Sequence, residues 1–200
     1  MRRFGLFVGG LALALGVALG VRAMRTAPPL PVLGAVPAFH LVDQRGAPYA
    51  NDSMLGHASV VDFVFTRCPS SCPRLTARMA QLQGRLAKAG SDVRLVSFSV
   101  DPENDTPPVL TAYAAKAGAD PARWTFVTGP VDDVTRAVVL GFKVSAAKVA
   151  TGANDYDVTH GDWFVLVDGA GAIRGYYPTE EDADFERLAA DAERLARDGR

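Results

Sequence analysis

At 200 residues and 21.2 kDa the chain has the length of one ordinary domain, and 48% hydrophobic with 22% charged residues excludes a disordered, collagen-like or coiled-coil protein. Basic and acidic residues nearly balance at 21 and 22, and no basic run interleaved with aromatics occurs, which argues against nucleic acid as the partner. The two cysteines, Cys68 and Cys72, are too few for a disulfide-stapled miniprotein and lie within one five-residue segment, so all thiol chemistry is concentrated at one point.

After Met1-Arg2-Arg3, residues 4–21 are exclusively apolar or glycine. Such a stretch would rise about 27 Å as a helix, near the lower limit for crossing a bilayer. Residues 1–25 are therefore expected to form a membrane anchor, with a cleaved signal sequence as the alternative. An arginine inside the weak small-x-small motif and the absence of a lipidation cysteine favour the uncleaved anchor. Either form places the remainder on the extracytoplasmic face, where it carries 17 basic against 22 acidic residues. Prolines make residues 26–37 an extended, stiff linker. The domain proper is expected over residues 38–200.

Residues 39–42, followed by Asp43-Gln44-Arg45-Gly46, predict a strand entering a turn. The β-branched and aromatic run at 59–65 predicts a central strand. Leu75, Met79, Leu82, Leu86 and Ala89 then recur at three- and four-residue spacing, which predicts a helix that Gly90 ends. A second strand is expected at 94–100, a helix from Pro107-Pro108 to about residue 117, a short strand at 124–127 and a helix at 131–140 stopped by Gly141. Residues 162–167 and 173–177 flank Asp168-Gly169-Ala170-Gly171 and predict an antiparallel hairpin. Thr179 is expected to cap a last helix whose apolar stripe is Phe185, Leu188, Ala189, Ala192, Leu195 and Ala196. This order predicts a thioredoxin-like α/β fold, a mixed central sheet flanked by helices and preceded by one transmembrane helix.

Cys68-Pro-Ser-Ser-Cys72-Pro73 falls where the first central strand gives way to a helix. Thiols at i and i+4 in a first helical turn have Cα atoms about 6 Å apart on one face, so they can bond to each other or share a metal. The helix start favours the thiolate that either role requires. A static disulfide is the plainer alternative, but so short a loop would stabilise little. Of the histidines, His40 and His57 read as surface or core-edge residues. His160, in Tyr156-Asp157-Val158-Thr159-His160, is expected in a loop facing the dithiol helix. Met54 and Met79 are weaker candidates as soft ligands, Met79 lying on the apolar helix face.

The chain resembles the Sco/SenC family of membrane-anchored, copper-binding, thioredoxin-like proteins. The resemblance rests on Phe65-Thr66-Arg67-Cys68-Pro69 through Cys72-Pro73 and on Ser99-Val100-Asp101-Pro102-Glu103-Asn104-Asp105-Thr106-Pro107. Gly141-Phe142-Lys143-Val144, residues 156–160 and Leu166-Val167-Asp168 complete it. It implies that Cys68, Cys72 and His160 bind copper, as Cu(I) with Cu(II) a second state. It further implies assembly of the CuA centre of a respiratory haem-copper oxidase, with the CuA-bearing subunit as partner and the protein as metallochaperone, thiol reductant or both. In the reductant role Cys68 and Cys72 would be a redox-active pair. Two thiolates and an imidazole are a soft set suited to Cu(I). The chain departs from the family at Ser70-Ser71 and Thr159, where acidic residues are common, so two local negative charges are missing. Asp101 and Asp105 would either orient His160 or cap the turns around Pro102 and Pro107. A monomeric soluble domain is expected. The alternatives are a thiol-disulfide oxidoreductase or peroxiredoxin-like peroxidase without a metal, neither of which needs His160, and a structural zinc protein, for which a fourth ligand is lacking.

Overall fold

The computed structural model describes residues 28–68, 71–144, 146–150, 156–160 and 163–199, with residues 146–150 and 156–160 described through their backbone. The chain divides into two units, Met1–Leu30 and Pro31–Arg200, and among the described residues all regular elements belong to the second. The apolar stretch 4–21 lies outside the described residues, and among the described ones no helix is long and apolar enough to cross a membrane.

In chain order the described strands are β1 (Gly34–Ala35), β2 (His40–Asp43), β3 (Pro48–Ala50), β4 (Ser59–Val64), β5 (Arg94–Ser99), β6 (Trp124–Thr128), β7 (Ala146–Ala150), β8 (Tyr156–His160), β9 (Trp163–Val167) and β10 (Ala172–Pro178). The helices are α1 (Cys72–Lys88), α2 (Pro107–Ala117), α3 (Val131–Thr135) and α4 (Asp182–Asp198), with a 3-10 turn at Asn51–Met54. One sheet runs β1-β10-β9-β4-β5-β6-β2-β3, and β7-β8 form a separate ribbon.

The expected central strand is β4, every residue of which is buried. It pairs in parallel with β5, which pairs in parallel with β6, and on its other side it runs antiparallel to β9. Crossovers through α1 and α2 connect the three parallel strands, as the alternation of strand and helix patterns requires. The mixed, thioredoxin-like sheet is thus as expected. Leu75, Met79, Leu82 and Leu86 form the buried face of α1, and Gly90, at φ 63°, ends that helix in the left-handed conformation that glycine adopts without strain. Phe63, Phe98 and Phe142 meet in the core with centroids 5.1 to 6.1 Å apart. Truncating one such ring to alanine costs about 3–5 kcal/mol.

Several features differ from the sequence expectation, the first being that α1 begins only at Cys72, so Cys68 precedes the helix and does not share its first turn. Within the Pro-rich stretch 26–37, β1 pairs antiparallel with β10, and the Leu33 and Val36 N–H groups donate to the Ile173 and Gly171 carbonyls at 2.8 and 2.9 Å. The helix expected over 131–140 is α-helical only through Thr135 and continues as a π-helix over Arg136–Gly141. Thr179 does not cap the last helix: Glu181 holds the N-cap position without a side-chain bond, and the Thr179 hydroxyl is buried with no hydrogen-bond partner among the described residues. Residues 156–160, expected as a loop, form β8, paired with β7 from Ala146 opposite His160 to Ala150 opposite Tyr156.

The motif at Gly141-Phe142-Lys143-Val144 acquires a physical reason. A Cβ on Gly141 would stand 1.9 Å from the Pro37 ring, so only glycine lets the segment leading to β2 cross here. Phe142 fills the core, and its carbonyl accepts from the Tyr176 hydroxyl at 3.1 Å. Lys143, at φ 57°, adopts the left-handed conformation that turns the chain toward the β7-β8 ribbon.

Candidate metal centre

Strand β4 ends at Val64 and α1 begins at Cys72, so both cysteines leave the carboxyl end of a central parallel strand, where open α/β sheets place their chemistry. The Cys68 N–H donates to the Phe65 carbonyl at 3.2 Å and closes a turn. The Cys72 N–H donates to the Cys68 Sγ at 3.4 Å, so the first amide of α1 is directed at that sulfur. The partial positive charge of a helix start favours a negative atom in that position. Pro73 fits the first turn, where no N–H partner is required.

The two thiols are not bonded to each other. Cys68 retains 8% of its surface and Cys72 only 1%. The helix start was expected to favour the thiolate at both positions, but at Cys72 burial prevails and pushes the thiol pKa up, with the adjacent Cys68 sulfur adding to the effect. An open groove of about 670 Å³ reaches Cys68 along α1 and α2 and is lined also by Thr66, Pro73, Thr76 and Tyr113. An approaching ion or thiol thus meets Cys68 first.

The acidic segment braces the cysteine turn. The Asp105 carboxylate accepts from the Thr66 N–H at 3.1 Å, the Thr66 hydroxyl at 2.6 Å and the Ser99 hydroxyl at 2.7 Å. Asp101 accepts from Arg67 at 3.2 Å and from the Asn104 side chain at 3.0 Å. Both aspartates are fully buried, and burial pushes the Asp105 carboxyl up against the lowering effect of Thr66 and Ser99. The motif therefore grips Thr66 and Arg67, the two residues ahead of Cys68. Sequence reasoning missed this role, although the adjoining Thr-Arg-Cys triplet was its signal.

Asp62 also escaped the sequence analysis. It lies at the middle of β4 with no exposed surface, and neither carboxyl oxygen has a hydrogen-bond partner among the described residues. The opposite residue on β5, Ser97, accepts the Trp124 indole N–H at 2.8 Å, and its hydroxyl acts to lower the Asp62 pKa against the larger effect of burial. Burial pushes the Asp62 pKa up to about 7. Its charge contributes to the raised pKa of Cys72 and of Tyr113, the latter pushed up chiefly by burial to about 12. A charged residue inside an otherwise apolar strand was the available signal.

The structure thus brings Cys68 and Cys72 together. His160 ends β8, and its side chain lies outside the described residues, as do Pro69 and Ser70 between the cysteines. His40 is exposed on β2, and His57 is half-buried with Nδ1 3.3 Å from the Asp92 carboxylate. Met54 and Met79 are both buried core residues. Among the described residues no group of three or more His, Cys, Asp or Glu side chains is placed to hold a metal ion.

The SCO1/SenC family pattern matches residues 33–197. The chain is 32% identical over 157 residues to the SCO1 protein homolog of Bacillus subtilis, covering 78% of this chain and 80% of that protein. Among solved structures, BsSco, described as a member of the Sco family of cytochrome c oxidase assembly proteins with a disulfide switch, superposes with a TM-score of 0.73 at 31% identity, over 86% of this chain and 99% of that one. ScoI of Bradyrhizobium japonicum, solved with copper bound, superposes with a TM-score of 0.66 at 27% identity, over 81% of this chain and 99% of that one.

Proposed function

Because the chain belongs to the SCO1/SenC family, we propose that it binds copper through the Cys68 and Cys72 thiolates and the His160 imidazole, and that it serves assembly of the CuA centre of a respiratory oxidase. The observation that carries the proposal is the pair of unbonded thiols held by one helix start, with the Cys72 N–H directed at the Cys68 sulfur and a groove leading to Cys68. Two thiolates and one imidazole suit soft Cu(I) better than a harder ion. The hydrogen bonds of Asp101 and Asp105 fix Thr66 and Arg67, so the backbone leading into Cys68 is set before a ligand arrives.

The same pair can act as a reductant of the partner's cysteines. The Cys68 thiolate would attack a disulfide of the CuA-bearing subunit, expelling one partner thiolate and forming a mixed disulfide. Cys72, losing its proton, would then attack the Cys68 sulfur and release the second partner thiolate. Two electrons pass to the partner, and the Cys68–Cys72 disulfide remains here. Copper loading and this disulfide use the same sulfurs and exclude each other. An oxidoreductase without copper would use identical steps, and the two readings part at His160, which only the metal site needs. The proposal includes an anchor formed by residues 1–25, supported by the apolar stretch 4–21, that keeps the domain on the extracytoplasmic face.

X-ray absorption of the reduced chain loaded with Cu(I) tests the ligand set. The expected result is one copper per chain with two sulfur scatterers and one nitrogen. A site of two sulfurs alone, unchanged in His160→Ala, would contradict the histidine assignment.

A further inference from the structure

At the opposite end of the sheet from the cysteines, the amino ends of β4, β5 and β6 carry Ser59, Arg94 and Arg123 side by side. Ser59 stands opposite Arg94 in the register, and Leu95 opposite Trp124, so one step back Arg94 and Arg123 are neighbours on adjacent parallel strands. The Arg94 N–H donates to the Ala58 carbonyl at 2.9 Å and the Leu95 N–H to the Arg123 carbonyl at 2.8 Å, fixing both backbones. Strands in a sheet lie about 4.8 Å apart, and like charges set opposite one another destabilise it.

Among the described residues neither arginine forms an ion pair with a carboxylate. Arg94 donates to the Ala122 carbonyl and Arg123 to the Ser91 carbonyl, the latter at 2.5 Å, and each bond engages one guanidinium nitrogen, Nη1. The remaining N–H groups are available for a ligand. Both side chains are half-buried and border a half-open cavity of about 280 Å³, which Tyr49, His57, Ser59 and Thr125 also line. Among the described residues the one carboxylate bonded to a lining side chain is Asp92, on His57. With 17 basic against 22 acidic residues beyond residue 25, this concentration of positive charge is local and does not reflect the domain as a whole.

We propose that this cavity is an oxyanion site that takes a phosphoryl group, as free phosphate or as a phospholipid headgroup, between Arg94 and Arg123 with the hydroxyls of Ser59 and Thr125. Guanidinium forks bind tetrahedral phosphate oxygens in bidentate fashion, and an anion between the two arginines turns their mutual repulsion into attraction. Strand β4 is about 20 Å long, so the bound anion does not share the cysteine site and copper loading does not depend on it.

The test titrates the full chain in neutral detergent with sodium phosphate and, separately, with dihexanoyl phosphatidylglycerol, at constant ionic strength held with sodium chloride. Calorimetry is expected to show saturable one-to-one binding, weakened at least tenfold in Arg94→Gln and in Arg123→Gln and unchanged in Arg187→Gln on the exposed face of α4. Binding of phosphate identifies the free ion as ligand, and binding of the lipid alone identifies the headgroup; either supports the site. Should the glutamine variants fail to fold, the wild-type Arg94 and Arg123 Nε–H signals in ¹H–¹⁵N spectra decide, shifting together with the probe and not with chloride. No saturable binding of either probe, or binding that leaves both signals unmoved, would overturn the proposal.

Discussion

Asp62→Asn is the sharpest single perturbation of this fold, because it removes a charge that no described group balances. The carboxyl is wholly buried, both oxygens lack hydrogen bonds among the described residues, and burial raises its pKa from 3.8 to about 7. Below about pH 4 the group is protonated in folded and unfolded chains alike, and it does not oppose folding through its charge. Between about pH 4 and 7 the unfolded chain releases the proton while the folded chain keeps it, so stability falls as pH rises. Above about 7 the loss is complete. A shift of about 3 pH units corresponds to roughly 4 kcal/mol. Asparagine has the same shape and no charge, so the variant lacks this pH dependence. Guanidinium unfolding of the reduced, copper-free protein, followed by the fluorescence of buried Trp124, should show the variant gaining roughly 4 kcal/mol on wild type between pH 4 and pH 8. Parallel pH profiles for the two proteins would refute the reasoning, since they would mean that the Asp62 charge is balanced in the fold.

Asp105→Ala leaves the Thr66 N–H and the Thr66 and Ser99 hydroxyls without their acceptor and should cost about 2–4 kcal/mol in the same assay, with weaker Cu(I) binding as the cysteine turn loosens. Gly141→Ala drives a methyl group into the rigid Pro37 ring and should cost about 1–3 kcal/mol. It should also speed amide exchange at Leu33 and Val36, whose bonds to β10 hold that segment; unchanged exchange there would refute the link. Membrane fractionation of the native host with terminal sequencing should recover the chain in the membrane with its amino terminus intact, whereas a soluble form beginning near Met24 would refute the anchor.

The strands and helices of the main sheet were legible because their physics is local. The apolar run that became β4 is buried on both faces, and the three- and four-residue spacing of Leu75, Met79, Leu82 and Leu86 is the buried face of α1. The cysteine motif was legible too, because it sits at the junction of these two signals. What stayed hidden depends on distant partners. Gly34 and Ala35 become a strand only because β10 offers an edge, and no local pattern marks a two-residue strand. Thr179 has the residue type of a helix cap, but the chain stays extended through Glu181 and the helix starts beyond its reach. Asp101 and Asp105 read as turn residues, yet their carboxylates are engaged by the cysteine turn more than thirty residues earlier. His160 reads as a loop residue, and its strand exists only through pairing with residues 146–150.

The most direct test of the central claim is a competition titration of Cu(I) between the reduced chain and a chromophoric Cu(I) chelator, run on wild type, Cys68→Ser, Cys72→Ser and His160→Ala. The expected result is one Cu(I) per wild-type chain and an affinity at least a hundredfold weaker in each variant. Wild-type affinity in His160→Ala or in either serine variant would contradict a copper site built from these three residues.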